Sequence, residues 1–166
     1  VTPEQYCTLI AQGKSNSILA DYNDYPILSA DTIVSIDDEI LEKPNNFDEA
    51  FSMLSMLSGR THRVLTAVNI LYDRNNINSI FTEETLVTFN YLNPNLISFY
   101  IDKYKPFDKS GSYGIQGFSS IFVKKIDGCY FNVVGLPLSS LFHELKKINL
   151  IEFPLKTLNK NNNLQS

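Results

Sequence analysis

The sequence predicts an α/β fold in which a mixed sheet is flanked by helices. Segments with helical spacing of apolar residues alternate with segments rich in β-branched residues. Two pairs of strand-like segments are separated only by short polar turns, which is typical of hairpins. Because parallel strands need long crossover connections, these hairpins favour a mixed sheet over a purely parallel one.

The first half of the chain begins with a helix signal. Thr2 precedes a proline and lies three residues before Gln5, as in a capping box. An apolar, mostly β-branched run over residues 26–36 predicts a strand ending at an Asp37-Asp38 turn. The apolar spacing of residues 47–57 predicts a second helix, ended by Ser58-Gly59.

The second half is predicted to contain two hairpins, two helices and a glycine-containing loop. In chain order these are a hairpin of residues 63–72 and 80–90, a helix opening at Asn93-Pro94, the loop 106–117, a hairpin of residues 121–126 and 130–134 around Asp127-Gly128, and a helix over 137–147.

The composition disfavours several functional classes. The chain has 166 residues, enough for one domain or two tightly fused lobes, and its 14 basic and 18 acidic residues give a net charge of −4. This charge disfavours a polynucleotide-binding protein but not a small anionic ligand. Cys7 and Cys129 form no zinc-type pair, and free thiols suit the cytoplasm. The sequence predicts no membrane span and no secretory signal.

Asp31 interrupts a strand that is otherwise apolar. A buried carboxylate requires a partner or a chemical role, because an unpaired buried charge is costly. Lys43 follows after a short hairpin and would approach Asp31 if the segments pair across Asp37-Asp38. Such a pair suits metal or water activation beside a phosphate. The alternatives are an Asp that caps a turn or a simple surface salt bridge.

Two further segments concentrate polar residues. His62 is a candidate base, although a structural hydrogen bond is the commoner role, and the flanking Arg60 and Arg63 suit either phosphate or solvent. Gln116 lies in the loop 106–117, whose glycines permit close backbone approach to a ligand, and its amide offers the donor and acceptor that base recognition needs. Lys14, on the first helix, is equally compatible with a solvated lysine.

Taken together, these segments resemble the Maf family, the septum-formation-inhibitor-like nucleotide pyrophosphatases. The resemblance runs from about Pro3 to about Leu150. It rests on Ala30-Asp31-Thr32-Ile33-Val34, Leu41-Glu42-Lys43-Pro44, Leu57-Ser58-Gly59-Arg60-Thr61-His62-Arg63-Val64, the loop from Asp108 to Gly117, and Asn132-Val133-Val134-Gly135-Leu136-Pro137-Leu138.

The resemblance implies a two-lobed fold with a central cleft, similar to that of inosine triphosphate pyrophosphatases. It implies a hydrolase acting on acid anhydrides, which cleaves a nucleoside triphosphate between the α- and β-phosphates with Mg²⁺ or Mn²⁺. It also implies homodimers, a nucleotide-cleansing role and a link to septum formation.

Residue roles follow from the same resemblance. Asp31 matches the proton acceptor or metal-binding carboxylate, and the family's lysines near the phosphates match Lys14, Lys43 and Lys109. Thr32 and Gln116 match the specificity positions of the branch acting on dTTP, UTP and modified pyrimidine nucleotides. The branch acting on 7-methyl-GTP has Gln directly after the Asp.

The sequence departs from the family pattern at its start. The family opens with a strand, a Ser-x-Ser-Pro-Arg-Arg phosphate loop and a metal-assisting glutamate, which precede the point where this chain begins at Val1. We therefore expect residues 1–155 to form a Maf-like domain without that loop, weak or inactive by itself, and residues 156–166 to form a disordered polar tail. A non-catalytic nucleotide-binding regulator of the same fold and a purely structural interaction module are the alternatives.

Overall fold

The computed structural model describes residues 1–152, so the predicted tail and the domain end at residue 155 lie outside the described residues. Helix α1 (Pro3–Tyr22) begins with the predicted capping box, in which Gln5 N donates to Thr2 Oγ1 and Thr2 N donates to Gln5 Oε1. The capping box therefore satisfies the backbone donors of Thr2 and Gln5.

Strands β1 (Ile27–Ile36) and β2 (Glu39–Leu41) form the expected hairpin. Asp37 and Asp38 have φ values of 52° and 62°, as a two-residue type I′ turn requires. Helix α2 (Phe47–Leu57) has the predicted bounds, and Asn46 caps it through Glu49 N.

The remaining elements are two long strands, a short strand and three helices. They are β3 (Thr61–Tyr72), β4 (Ile77–Phe89), α3 (Pro94–Tyr104), β5 (Val123–Asp127), α4 (Tyr130–Val134) and α5 (Leu138–Lys147).

The strands form one sheet in the order β2-β1-β3-β4-β5. The predicted α/β class with helices on the sheet is confirmed. Within residues 1–152 all four pairings are antiparallel. Helix α2 returns the chain after β2, so that β3 runs against β1. The described strands thus form an antiparallel sheet, without the parallel pairs that a mixed sheet would include.

The two faces of the sheet carry different layers. Helix α1 packs on one face, where its Cys7 and Ala11 contact Ile33, Leu65 and Ala67. On the other face, α2 and α3 cover one end and α5 covers the opposite end, around Val68 and Ile70. No helix within residues 1–152 is long and apolar enough to cross a membrane.

The predicted hairpin of residues 121–126 and 130–134 is wrong. Strand β5 pairs with β4 instead, and residues 130–134 form α4. The β-branched Val133 and Val134 favour a strand locally, but long-range hydrogen bonds override that preference. Asn132 is fully buried and donates to Val64 O at 3.1 Å and Thr85 Oγ1 at 2.9 Å.

Gly128 shapes the turn that leads from β5 into α4. Its φ is 129°, and a Cβ atom there would lie 2.9 Å from Thr85 Oγ1 and 3.1 Å from Thr85 Cα. A side chain would therefore push the turn away from β4.

We predict that Gly128→Ala lowers the free energy of unfolding by about 1–3 kcal/mol, measured by urea denaturation. Gly13→Ala is the control, because Gly13 is exposed in α1 and a Cβ there meets nothing within 4 Å. It should stabilise the protein by roughly 0.5–1 kcal/mol. A neutral Gly128→Ala would contradict the close packing of this turn.

Candidate active site

A cleft of about 410 Å³ opens beside β1, within the size range of small-molecule sites. Strand β2 pairs only with Val34–Ile36, whereas β3 pairs with β1 from Ile27 to Ser35. The outer edge of β1 before Val34 is therefore free of any described strand. Successive side chains point to opposite faces of a strand, so Asp31 and Thr32 approach the cleft from the two faces of the sheet.

The structure brings all six predicted site residues to this one cleft. Asp31 and Thr32 come from β1, and Lys14 comes from α1 on one face of the sheet. Lys43 follows β2, while Lys109 and Gln116 belong to the loop between α3 and β5. The residues that line the cleft include Lys14, Asp31, Thr32, Lys43, Lys109 and Gln116. Their chemical roles remain predictions.

Asp31 is bound by Lys14. The Lys14 ammonium lies 2.7 Å from Asp31 Oδ1 and 2.9 Å from the Ala30 carbonyl oxygen. The Asp31 side chain is only 17% exposed, so this partner offsets much of the cost of its desolvation. Lys43 lines the same cleft as predicted, but the salt bridge of Asp31 is to Lys14.

The loop carrying Lys109 and Gln116 is fastened to the β1–β2 hairpin. Ser110 Oγ donates to Leu41 O at 2.5 Å and accepts from Val34 N at 2.9 Å. Gly111 N donates to Glu42 O at 3.2 Å. Gly111 has a φ of 64°, and a Cβ there would lie 2.9 Å from Val34. Only glycine therefore permits this close approach.

The loop also adds charge to the cleft. Lys109 Nζ lies 2.8 Å from Asp108 Oδ2, and this hydrogen bond holds the pKa of the Asp108 carboxyl below its ordinary value. The cleft lining thus contains three ammonium groups, from Lys14, Lys43 and Lys109, and two carboxylates, from Asp31 and Asp108. An excess of positive charge suits a polyanionic ligand.

His62 does not face the cleft as a base. It is buried, its Nε2 lies 2.7 Å from the Tyr113 hydroxyl, and burial lowers its pKa to about 4. The pair holds the cleft loop against β3, so the structural interpretation of His62 is the one observed. Arg60 pairs with Asp37 at 2.6 Å, away from the cleft.

Arg63 is likewise engaged elsewhere. Its guanidinium contacts Glu4 on α1 and lies 2.6 Å from Glu84 Oε2 on β4 and 3.6 Å from Asp38 Oδ1. It therefore links α1 to the sheet at a point outside the cleft lining. The candidate phosphate-binding cations are the three lysines, not the two arginines.

Sequence reasoning missed several residues at the site. The sequence does not distinguish Ser110 from any other loop serine, because its two hydrogen bonds are made to a hairpin far away in the chain. Glu42 lines a recess of about 220 Å³ that it shares with Asp31 and Lys43, and the Tyr6 hydroxyl donates to it at 2.5 Å. Thr66 gave a signal: it is a hydroxyl in an apolar strand, and it is fully buried beside Thr32.

The donor set limits how a metal could bind. Among residues 1–152 there is no group of three or more His, Cys, Asp or Glu side chains that could enclose an ion. Lys14 contacts Asp31 Oδ1, which leaves Oδ2 as a candidate ligand. A single carboxylate, with water and substrate phosphate completing the shell, fits Mg²⁺ or Mn²⁺.

The fold and the cleft define an α/β protein with a lysine-rich pocket whose excess of positive charge suits an anionic ligand. The family model described as "Maf-like protein" matches residues 1–148, and the chain belongs to the Maf family.

Three relatives named "dTTP/UTP pyrophosphatase" illustrate the similarity. The protein of Geobacillus sp. (strain WCH70) is 46% identical over 147 residues, covering 89% of this chain and 78% of the relative. That of Clostridium botulinum is 45% identical over 142 residues, covering 83% and 74%. That of Carboxydothermus hydrogenoformans is 41% identical over 147 residues, covering 89% and 79%.

The burial of His62 predicts a specific pH dependence of stability. An unfolded histidine has a pKa of about 6.5, whereas that of folded His62 is about 4. As the pH falls below about 6.5, the unfolded state binds a proton that the folded state does not. The free energy of unfolding should therefore fall, by at most about 1.4 kcal/mol per pH unit.

The test is urea denaturation between about pH 7.5 and 5. His62→Gln should be less stable than the unmodified protein at about pH 7.5 but should lose this slope, so the difference in the free energy of unfolding should narrow as the pH falls. The variant His143→Gln, on an exposed position of α5, should keep the slope because His62 is intact. An unchanged slope in His62→Gln would contradict the assignment.

Proposed function

We propose that this chain hydrolyses a pyrimidine nucleoside triphosphate, dTTP or UTP, to the monophosphate and pyrophosphate. One observation carries the proposal: a single cleft combines Asp31 with three lysines and with the two candidate base-recognition residues, Thr32 and Gln116. The names of the Maf relatives, which specify dTTP and UTP, support the same substrates.

The two faces of β1 suggest how the nucleotide lies. Asp31 and Lys14 meet on the α1 side of the sheet, where the triphosphate would bind. Thr32 lies on the other side, where Val34, Val64 and Tyr113 also line the cleft. These mostly apolar groups suit the flat face of a base, and Gln116 would hydrogen-bond its edge.

In the proposed reaction a water molecule attacks the α-phosphorus, the bond to the bridging oxygen breaks, and pyrophosphate leaves. Asp31 orients this water and accepts its proton. Lys14 keeps the Asp31 carboxylate in place, and Lys43 and Lys109 offset the charge that develops on pyrophosphate. Such chemistry depends mainly on positioning and charge stabilisation.

Asp31 Oδ2 would also hold a Mg²⁺ or Mn²⁺ ion beside the phosphates. When bound, the cation supplies positive charge to the phosphate oxygens. The donor set supports this proposal, because a hard cation prefers oxygen ligands and the cleft contains no histidine or cysteine among its lining residues.

The cellular context stays a set of predictions. The two described cysteines, Cys7 and Cys129, are free, which supports the cytoplasm. Homodimer formation, removal of modified nucleotides and a link to septum formation are predictions of the family resemblance.

Asp31→Asn should lower the rate of pyrophosphate release from UTP about a hundredfold or more, because the amide cannot accept the proton. The measurement uses this chain and a version extended at its start, with Mg²⁺ or Mn²⁺. Asp37→Asn is the matched control, since Asp37 is an exposed turn residue paired with Arg60. Near-normal turnover in Asp31→Asn would refute its role, and UTP binding without any release in the unmodified protein would favour the regulatory alternative.

Gln116→Ala should raise KM for UTP about tenfold, the effect of losing one or two hydrogen bonds to the base, and should lower kcat much less. The comparison is made with dTTP, UTP, CTP, GTP and 7-methyl-GTP, because a recognition residue changes the preference among bases. A uniform loss with all five nucleotides would contradict a recognition role.

A further inference from the structure

Lys43 differs from the other two lysines of the cleft lining in having no paired carboxylate. Lys14 Nζ lies 2.7 Å from Asp31 Oδ1. Lys109 Nζ lies 2.8 Å from Asp108 Oδ2. In the part of the chain that the structure describes, Lys43 forms no hydrogen bond and no ion pair. A phosphate oxygen can therefore contact the Lys43 ammonium without displacing a protein carboxylate.

A further carboxylate lies beside Lys43, and a tyrosine holds it. Glu42 directly precedes Lys43, and both side chains line the recess of about 220 Å³. The hydroxyl of Tyr6, on α1, donates to Glu42 Oε1 at 2.5 Å, across 36 residues of sequence. Tyr6 is half-buried, and its ring packs against the hydrophobic cluster beneath α1. The hydroxyl that engages Glu42 is thus carried by a ring fixed in the core.

The main chain around Glu42 is fixed by contacts that do not involve Tyr6. Gly111 N donates to Glu42 O at 3.2 Å. Ser110 Oγ donates to the preceding carbonyl oxygen, Leu41 O, at 2.5 Å. Loss of the Tyr6 hydroxyl would therefore release the exposed Glu42 side chain while these two bonds keep the backbone in place.

We propose that Tyr6 is a positioning residue that holds Glu42 away from Lys43, so that the Lys43 ammonium stays available to the phosphates of the nucleotide. This inference rests on the proposed nucleotide pyrophosphatase function and deepens it. Tyr6 and Glu42 act through Lys43 and do not themselves touch the nucleotide. A tyrosine suits this role, because its hydroxyl engages the carboxylate without adding a further cation to the recess.

Without the Tyr6 bond, Glu42 and Lys43 are free to form an exposed ion pair. Such pairs are weak, but this one would compete with the ligand for the same ammonium. A site that is available only part of the time has an apparent dissociation constant raised in proportion. An ammonium paired about two thirds of the time would thus weaken phosphate binding about threefold. The rate at saturating nucleotide would change little, because the ligand then displaces the carboxylate.

The experiment measures KM and kcat for UTP with Mg²⁺, and the dissociation constant of inorganic pyrophosphate by calorimetry. It uses this chain and a version extended at its start. Tyr6→Phe keeps the ring and removes only the hydroxyl. It should raise KM and the pyrophosphate dissociation constant about threefold and keep kcat within about twofold. Tyr22→Phe is the matched control, because it removes an exposed hydroxyl at the other end of α1 and should change none of these values.

Two double variants separate this role from simple packing. Glu42→Gln cannot form an ion pair, so Tyr6→Phe combined with Glu42→Gln should regain the KM and the pyrophosphate affinity of the unmodified protein. Glu42→Gln by itself should bind pyrophosphate at least as tightly as the unmodified protein, because a carboxylate beside Lys43 is removed. In a Lys43→Gln background, Tyr6→Phe should have no further effect, as expected when one residue acts through the other.

The outcomes distinguish the two proposals. An unchanged KM in Tyr6→Phe, a defect that Glu42→Gln does not restore, or a defect that adds to that of Lys43→Gln overturns the positioning inference and leaves the proposed function intact. A Glu42→Gln variant as impaired as Tyr6→Phe also overturns it, because the carboxylate would then serve the reaction itself. An unmodified protein that cleaves UTP in neither length overturns the proposed function and the inference together. Restoration in the double variant supports both.

Discussion

The unequal pairing of β1 determines where a ligand can approach this protein. Nine residues of β1, Ile27 to Ser35, pair with β3, but only Val34–Ile36 pair with β2. The inner edge fixes the strand in the core, and the outer edge before Val34 is left accessible. Adjacent residues of one rigid strand can therefore contribute a carboxylate from one face and a hydroxyl from the other. A site built on such a strand is held more exactly than one built on a loop.

The loop that completes the cleft depends on the same hairpin. Ser110 hydrogen-bonds to both β1 and β2. Tyr113, in the same loop, hydrogen-bonds to the buried His62 on β3. These bonds compensate for the freedom that the loop glycines would otherwise give. Lys109 and Gln116 are consequently carried by a loop whose backbone is tied to the strands bearing Asp31 and Thr32.

Local features of the chain were predictable, whereas features that depend on distant partners were not. The capping box of α1 and the Asp37-Asp38 turn involve residues within one turn of each other, so sequence spacing is sufficient. The six cleft residues were identified by resemblance to the Maf family, and the structure brings them together. Residues 130–134 were misassigned because the contacts that make them helical, to Thr85 and Val64, are made across the fold. Thr66 went unassigned because the meaning of a buried hydroxyl depends on its partners.

In the proposed function a nucleotide binds at the open edge of β1, with its base between β1, α4 and the glycine loop. Titration of UTP and Mg²⁺ into ¹⁵N-labelled protein, followed through the backbone amide signals, would locate the binding site. We expect saturable shifts in residues 31–34, 109–117 and 132–135 and none in the turn at residues 73–76. Shifts confined to the surface recess around Thr2, Asp38 and Arg63, or no saturable shift, would contradict the proposal.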